Sequence, residues 1–464
     1  MKKHLCTSLF VVGASVFSLL NAQNIYTVVG EVAFGFGFSG DGGPATAAGL
    51  YSPCLATIDP SGNMYIADAS NNVIRVVNHS TGDINTIAGN HAFGGGYSGN
   101  GGPATSAELN GPQGIVLDAS GNIYIADTYN NVIRKVNTSG TISTFAGNHV
   151  IGYSGDGGAA ISAELNNPTD VAFDVAGNVY IADHGNNVIR EVNSVSGDIS
   201  TVVGNSKSGY FGDGGPATAA ELNLPVSVTF SHSGNMYITD YNNNLVREVS
   251  NGTITTVAGN HSKGFGYSGD GGSATSAQLY YPSGIVVDAI GNVFISDLAN
   301  SVVRKVNTSG TISTVAGNNT EGSGYSGDGA PATAAELSTP LGLSLDNAGD
   351  LFIADGDNNV IRKVSTIAAG VEKITSASGE INIYPNPNSG SFVVSLSHAE
   401  LVSALHPVIE VYNILGEKVF AENLEQVQGN NFINLPASTS GIYLYRILDE
   451  NNNLLGAGKL VIEK

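Results

Sequence analysis

Short apolar runs separated by Gly and Asn recur along most of this chain. In one copy, Gly114-Ile115-Val116-Leu117-Asp118 precedes the turn pair Ser120-Gly121, and Asn122-Ile123-Tyr124-Ile125-Ala126-Asp127 precedes Asn130-Asn131. The runs 132–136 (Val-Ile-Arg-Lys-Val) and 141–147 follow, separated by Ser139-Gly140. Runs rich in β-branched and aromatic residues between such turn signals predict four antiparallel strands, here named a to d, joined as a meander. Strands a and b are apolar on both faces, as in Ile-Val-Leu and Ile-Tyr-Ile. A sheet buried on both sides needs a neighbour on each, and radially packed blades supply them.

The pattern is periodic. An Asp stands seven residues before an Arg six times: Asp68/Arg75, Asp127/Arg134, Asp183/Arg190, Asp240/Arg247, Asp297/Arg304 and Asp355/Arg362. Successive Arg positions are 59, 56, 57, 57 and 58 residues apart. Self-similarity at such a period is the mark of a repeat architecture. Strands a, b and c occur six times, but no proper strand d follows Arg362. The missing one stands at the front, where Ile25-Tyr26-Thr27-Val28-Val29-Gly30 matches Ile199-Ser200-Thr201-Val202-Val203-Gly204. The N-terminal strand is therefore expected to complete the last blade and leave no open edge. The predicted fold class is all-β, with a six-bladed β-propeller of four-stranded blades over 23–367.

Between strands d and a runs a long connection carrying Gly-Tyr-Ser-Gly-Asp-Gly-Gly-Pro-Ala-Thr or a close variant. Its Asp or Asn recurs at Asp41, Asn100, Asp156, Asp213, Asp270 and Asp328, each 34 residues before its repeat Arg. The residues after the glycines, 103–109, could form one helical turn with Pro103 in its first position. In a four-stranded blade the b–c and d–a connections leave on one face. That face, with Tyr97, Tyr153, Tyr267 and Tyr325 in its loops, is the candidate working surface.

Each candidate motif also has a purely structural reading. If Asn130-Asn131 centres a two-residue hairpin, Asp127 faces Arg134, and each Asp/Arg pair is a charge-assisted contact fixing its hairpin. The loop Asp residues invite calcium, which wants six to eight oxygens. One carboxylate per loop, and Asn100 in place of one of them, favour turn-capping side chains instead. His91, His149 and His261 hold equivalent positions on different blades, which diverge, so they do not converge on a metal. His184 breaks the repeat pattern in a b–c turn and is the best single residue for a catalytic reading. No cofactor or metal site is expected.

Before the repeats, Lys2 and Lys3 lead into an apolar run from Leu5 to Leu20 that ends Leu20-Asn21-Ala22-Gln23. This pattern predicts a secretory signal peptide over 1–22, cut between Ala22 and Gln23. The run is short for a spanning helix. Cutting there removes two of the 18 cations and none of the 39 acids, shifting the net charge from -21 to -23. So acidic a chain repels phosphate backbones, which argues against nucleic acid as a partner. Of the two cysteines, Cys6 falls in the leader, leaving Cys54 as a small buried side chain rather than part of a disulfide framework.

After Arg362 the composition changes. Residues 368–380 are a Ser/Ala/Gly linker, and 381–464 begin Ile381-Asn382-Ile383-Tyr384-Pro385-Asn386-Pro387. Strands are predicted over 392–397, 409–414, 432–435, 441–448 and 458–462, enough for a small β-sandwich.

The Gly-Asn-x-Tyr-Ile-Ala-Asp run, the turn Asn and the Val-Ile-Arg resemble the NHL repeat, whose fold is a β-propeller. Its members bind protein, bind RNA or act as enzymes, so the resemblance leaves function open. The Tyr-Pro-Asn-Pro start, the Gly-Ile-Tyr-Leu-Tyr run and the ending Gly458-Lys459-Leu460-Val461-Ile462 resemble the C-terminal sorting domain of the bacterial type IX secretion system. The family's final basic residue is matched by Lys464. That resemblance implies a Bacteroidetes-type source, export by the type IX machinery across the outer membrane, and removal of the tail. The expectation is a secreted or cell-surface recognition or scaffold protein for protein or glycan, without a transmembrane segment. The alternatives are a propeller enzyme of lyase or lactonase type with a metal in its central channel, and a structural matrix protein.

Overall fold

The computed structural model describes residues 23–32, 35–320 and 322–365, and in the tail 380–384, 391–397, 408–412, 418–424, 429–435, 441–448 and 454–462. The expected leader over 1–22, almost all of the linker and Lys464 lie outside the described residues. These divide into two compact units, one ending at Ser365 and one beginning at Glu380.

The first unit holds six antiparallel sheets in a ring. Blade 2 consists of Pro112–Leu117 (a), Ile123–Asp127 (b), Val132–Val136 (c) and Ile142–Ala146 (d), with strand a innermost. Strand b shows why both faces are apolar. Ile123 and Ile125 pack with Ala67, Ile74 and Ala88 of blade 1, whereas Tyr124 and Ala126 pack with Val171 and Ile181 of blade 3. The period-two alternation thus feeds two separate cores, and each core lies between neighbouring blades. Burying each Ile or Val there contributes about 1.5–3 kcal/mol.

The ring closes as expected. Ile25–Val29 pairs with Val360–Val364 as the outer strand of blade 6, in the register Ile25↔Val364, Tyr26↔Lys363, Thr27↔Arg362. Blade 2 has the same register, Ile142↔Val136, Ser143↔Lys135, Thr144↔Arg134. Ile25 and Val29 are buried in the cores on either side of blade 6. The carbonyl of Gln23 also accepts the amide of Ala332 at 2.6 Å.

Each d–a connection crosses the face and then covers the outer edge of the blade it enters. In blade 2 the amides of Gly101 and Ala104 donate to the carbonyls of Ile142 and Gly140, so the edge strand has few free groups. The expected helical turn is a 3-10 turn, Ala104–Ser106, with Pro103 just before it rather than inside it. Strand d ends in a glycine whose place no side chain can take. Gly147 has φ +90°, and a Cβ there would lie 2.5 Å from the carbonyl oxygen of Asn131. Gly30, Gly89, Gly204, Gly259 and Gly317 repeat this approach in the other blades.

The second unit is a two-sheet sandwich. One sheet orders Glu380–Tyr384, Ser391–Ser397 and Gly429–Asn434; the other orders Lys418–Asn423, Val408–Tyr412, Gly441–Leu448 and Leu454–Ile462. Phe392, Val394 and Ile433 from the first meet Ile409, Val411, Ile447 and Leu460 from the second. The strands Glu380–Tyr384 and Lys418–Asn423 are additional to those the sequence predicts. The second alternates weakly, being mostly exposed. Among the described residues no helix is long and apolar enough to cross a membrane.

Deleting residues 23–30 removes the strand that closes blade 6, including two fully buried side chains. Thermal unfolding of the shortened protein should come about 5 °C or more below the intact one, since each kcal/mol lost from a domain this size is worth roughly 1–2 °C. An unchanged midpoint would show that the ring does not need this strand.

Candidate functional site

The b–c turn positions the first group. Asp127 pairs directly with Val132, so four residues lie between strands b and c. Thr128–Asn130 form a 3-10 turn, and Asn131 is left-handed with φ 56°. This corrects the two-residue hairpin expected around Asn130-Asn131, and it does so in every blade. The residue opposite each Arg is an Ile of strand b, not the Asp. Arg75 is opposite Ile66, Arg134 opposite Ile125, Arg190 opposite Ile181, Arg247 opposite Ile238, Arg304 opposite Ile295 and Arg362 opposite Ile353.

The Asp/Arg contact nevertheless exists, made diagonally across the hairpin. Nη1 of Arg75 lies 3.5 Å from Oδ2 of Asp68, and that of Arg134 lies 3.3 Å from Asp127. The distance is 3.3 Å for Arg190 and Asp183, and 3.2 Å for Arg247 and Asp240. It is 3.2 Å for Arg304 and Asp297, and 3.5 Å for Arg362 and Asp355.

All six Arg are fully buried. A buried guanidinium needs its donors filled, and the d–a loop fills the second arm. Nη2 of Arg75, Arg190, Arg247, Arg304 and Arg362 donates to Asp41, Asp156, Asp213, Asp270 and Asp328 at 2.6–2.7 Å; Nη2 of Arg134 donates to Asn100 at 3.0 Å. In five blades Nη2 also reaches a Ser carbonyl of that loop, such as Ser39 for Arg75 and Ser98 for Arg134, both at 3.0 Å. Blade 4 has Phe211 in place of that Ser, and there Arg247 is held by its two carboxylates. Nε of all six Arg finds no hydrogen-bond partner among the described residues. The loop Asp residues therefore do not serve chiefly as turn caps, although Asp270 Oδ2 also accepts the amide of Thr314 on strand d at 3.1 Å. They are second carboxylates on the buried cation.

The strand-b Asp is as fully used. Asp127 Oδ1 accepts the amide of Asn110 at 2.7 Å, and Oδ2 accepts Asn130 Nδ2 at 2.8 Å. Asn130 Nδ2 also donates to the carbonyl of Gly96 in the d–a loop at 2.7 Å. This second bond recurs in every blade and fastens b–c turn to d–a loop, placing both on one face. The left-handed Asn reaches onward: Asn131 Oδ1 accepts the amide of Asn167 in the next blade at 2.9 Å. Burial pushes each strand-b Asp up to about 6, against the opposing pull of the Asn amide, the backbone amide and the Arg.

The loop tyrosines lie on the guanidinium. The ring centroids of Tyr97, Tyr153, Tyr267 and Tyr325 are 4.8–5.2 Å from their Arg, and Phe38 covers Arg75 at 4.8 Å. The four hydroxyls bond Thr144, Thr201, Thr314 and Thr27 on strand d. His91, His149 and His261 stack on Phe38, Tyr97 and Tyr210. Each points Nδ1 at a b–c turn carbonyl. His184 packs against the next blade, with Nδ1 3.2 Å from the Pro225 carbonyl; burial lowers its pKa while that bond raises it. Among the described residues no three His, Cys, Asp or Glu are grouped to hold a metal.

Above and around these clamps the face is aromatic. Phe36, Phe93, Phe211 and Phe265 are 62–73% exposed, and Tyr51, Tyr129, Tyr153, Tyr210 and Tyr267 are exposed as well. Among the described residues, the exposed large apolar side chains on the opposite a–b and c–d turns are Val175, Val195 and Ile290, none of them aromatic.

The central channel is different. It holds about 250 Å³, lined by strand a of every blade, including Gly114, Gly284, Gly342, Ile115, Val228 and Leu343. Strands approach so closely that a Cβ on Gly284 would lie 2.2 Å from the Leu341 carbonyl oxygen. Asp170, which the sequence did not single out, is its one carboxylate. It accepts Ser227 Oγ at 2.6 Å and Val228 N at 3.1 Å, stitching blade 3 to blade 4. Burial pushes it up to about 6. Cys54 also lines the channel, half-buried, and burial pushes its thiol up to about 12, far from a reactive thiolate.

These features define a β-propeller whose d–a loops and b–c turns share one face, followed in the chain by a β-sandwich. Residues 382–463 match the family model described as "Secretion system C-terminal sorting domain", and residues 94–154 and 264–326 match "Teneurin NHL domain". The two segments 94–154 and 264–326 are thus NHL repeats, and 382–463 is a C-terminal sorting domain. The chain is 28% identical over 270 residues to Protein SUPPRESSOR OF QUENCHING 1 of Arabidopsis thaliana, covering 56% of this chain and 25% of that protein. It is 33% identical over 230 residues to Teneurin-4 of Mus musculus, covering 44% and 8%. The chain thus spans a quarter or less of these relatives' length. Among solved structures, an auxiliary nutrient binding protein from Bacteroides thetaiotaomicron aligns with TM-score 0.53 at 15% identity, over 74% of this chain and 76% of that one. This last likeness is one of fold.

Two outcomes follow from the clamp. Asp127→Asn leaves Arg134 buried with only Asn100 and carbonyls, and should cost about 3–5 kcal/mol in urea unfolding. Asp183→Asn leaves Arg190 with Asp156 at 2.7 Å and should cost about 1–3 kcal/mol; equal costs would show that the loop carboxylate does not share the cation. The second outcome concerns pH. A carboxyl raised from 3.8 to about 6 binds its proton more tightly in the folded chain, so the stability it lends is full below 3.8 and lost as pH rises through 6. The melting temperature at pH 5.5 should therefore equal or exceed that at pH 8, and a steady fall from 8 to 5.5 would contradict it.

Proposed function

We propose that this chain is a non-catalytic recognition protein, secreted or held at the outer cell surface, that binds its ligand through the face carrying the d–a loops and b–c turns. The observation that carries this reading is the aromatic asymmetry: nine exposed Phe and Tyr on that face against none on the opposite turns, among the described residues. Soluble monomers seldom leave large contiguous apolar patches in water, and aromatic residues are enriched where partners dock. Phe36, Tyr51, Tyr210 and Phe265 are held by ring stacking, and Tyr153 and Tyr267 by hydroxyl bonds, so these rings lose little conformational freedom on binding.

The sorting domain supports export, with the type IX machinery as the partner of the tail and a leader cut between Ala22 and Gln23. The clamp supports the scaffold half of the reading, because the six buried Asp/Arg pairs are spent on holding the face. The enzyme alternative finds less support. The channel is lined by glycine, apolar side chains and one carboxylate that is bonded to the neighbouring blade, and His184 is bonded to a backbone carbonyl.

The exported protein, coupled to beads, should retain its extracellular ligand. The combined variant Phe36→Ala, Phe93→Ala, Phe211→Ala, Phe265→Ala should lose at least about tenfold in retention with an unchanged melting temperature, as loss of interface anchors requires. Val175→Ala with Val195→Ala should retain it fully. The reverse pattern would place recognition on the other face.

A further inference from the structure

Several rings of the loop face are stacked in pairs. Phe36 lies on Tyr51 with centroids 4.8 Å apart, and Phe265 lies on Tyr280 at 4.5 Å. Tyr241 lies on Tyr281 at 4.6 Å, and Tyr210 on His261 at 3.6 Å. A planar ligand such as a nucleobase binds an aromatic side chain through an open ring face, and a sugar needs the same flat platform. In these pairs one face of each ring is covered by its partner. Rigid amphipathic edges suit the irregular apolar side chains of another protein.

The charge around these rings has one sign. In five blades the buried Arg is already matched by its strand-b Asp, so the loop Asp adds an unmatched negative charge. Those five, Asp41, Asp156, Asp213, Asp270 and Asp328, keep 39–49% of their side chains exposed. A further acid, Glu108, Glu164, Glu221 or Glu336, sits beside a loop glycine in four blades, where blade 5 has Gln278. None of these four Glu forms an ion pair among the described residues, where the lysines of the d–a loops are Lys207 and Lys263.

We propose that the loop face docks a cationic protein surface, on which Lys or Arg side chains meet the loop carboxylates while neighbouring apolar side chains pack between the stacked rings. This rests on the reading that recognition belongs to this face, and it fixes the partner's class as protein rather than glycan. Complementary charge also sets a salt-dependent encounter rate.

The test uses the full exported chain against two immobilised sets. One is an array of peptides that are cationic and apolar, cationic with only Gly and Ser, or acidic and apolar; the other is a set of neutral and acidic oligosaccharides. The cationic and apolar peptides should bind best, with Kd rising about tenfold as salt goes from roughly 0.05 to 0.3 M and screening shortens. Glu108→Gln, Glu164→Gln, Glu221→Gln and Glu336→Gln together should weaken that binding about tenfold at low salt, as should Phe93→Ala with Phe265→Ala, with melting temperatures unchanged. The Gln278 of blade 5 shows that glutamine fits the position. No retention of cationic peptides, or retention that ignores both variants, overturns the proposal. Oligosaccharide retention that is lost with Phe93→Ala and Phe265→Ala overturns the partner class but leaves the face. Retention lost only with Val175→Ala and Val195→Ala overturns the face itself.

Discussion

A buried guanidinium held by two side chains from different parts of the chain is the constraint on which the rest of this propeller depends. Arg304 illustrates it. Its Nη1 reaches Asp297 at the end of strand b and its Nη2 reaches Asp270 in the d–a loop, 3.2 and 2.6 Å away. Taking a cation fully out of water is costly unless opposite charge and hydrogen bonds meet it. Once Arg304 is buried, turn and loop must both come to it. Asn300 then bonds Asp297 and the Gly266 carbonyl, tying turn to loop a second time. The chain folds a polar, glycine-rich segment into a fixed shape because a charge beneath it permits little else.

That division of labour explains how one motif can carry a surface that varies from blade to blade. The repeated residues, Asp, Asn, Arg, the loop Asp and the loop Tyr, face inward to the clamp or lie across it. The residues that differ from blade to blade, such as Phe36, Phe93, Val150, Ile151 and Phe265, stand on top and are exposed. Each blade can change what it presents without disturbing what holds it. The exceptions are informative. Blade 2 replaces the loop Asp with Asn100 and closes the contact at 3.0 Å, so there an amide oxygen fills the second arm and the charge is left to Asp127. Ser301 replaces the left-handed Asn of blade 5 and keeps φ 55°.

Much of this was legible in the sequence. The period gave the blades, the orphan strand at Ile25 gave the closure, and the seven-residue spacing gave the Asp/Arg contact. The 34-residue spacing from loop Asp to Arg was equally visible. A length that never changes between two polar residues is what a direct bond requires, yet by itself it also fits a loop of constant length. The hairpin register of Arg75, Arg247 and their four counterparts was not legible. Paired Asn residues such as Asn130-Asn131 fit the two-residue type, whereas Thr128–Asn130 form a 3-10 turn that places the positive φ at Asn131 alone. The diagonal contact survives the change of register because an Arg side chain is long enough to cross it. The aromatic asymmetry was hidden too, because a loop carries no period to say which side chains face water. Asp170 was hidden for the opposite reason: it sits in an innermost strand, where only the packing of neighbouring blades reveals the Ser227 that it bonds.

Amide hydrogen exchange on Arg304→Lys tests the central idea most directly. Lysine keeps the charge but lacks the planar fork that spans both carboxylates. If the buried fork organises the face, exchange should speed up in the d–a loop around 264–272 and in the turn Leu298–Ser301, while the corresponding segments of blades 2 and 3 keep their wild-type rates. Unchanged exchange in both segments of blade 5 would contradict the account.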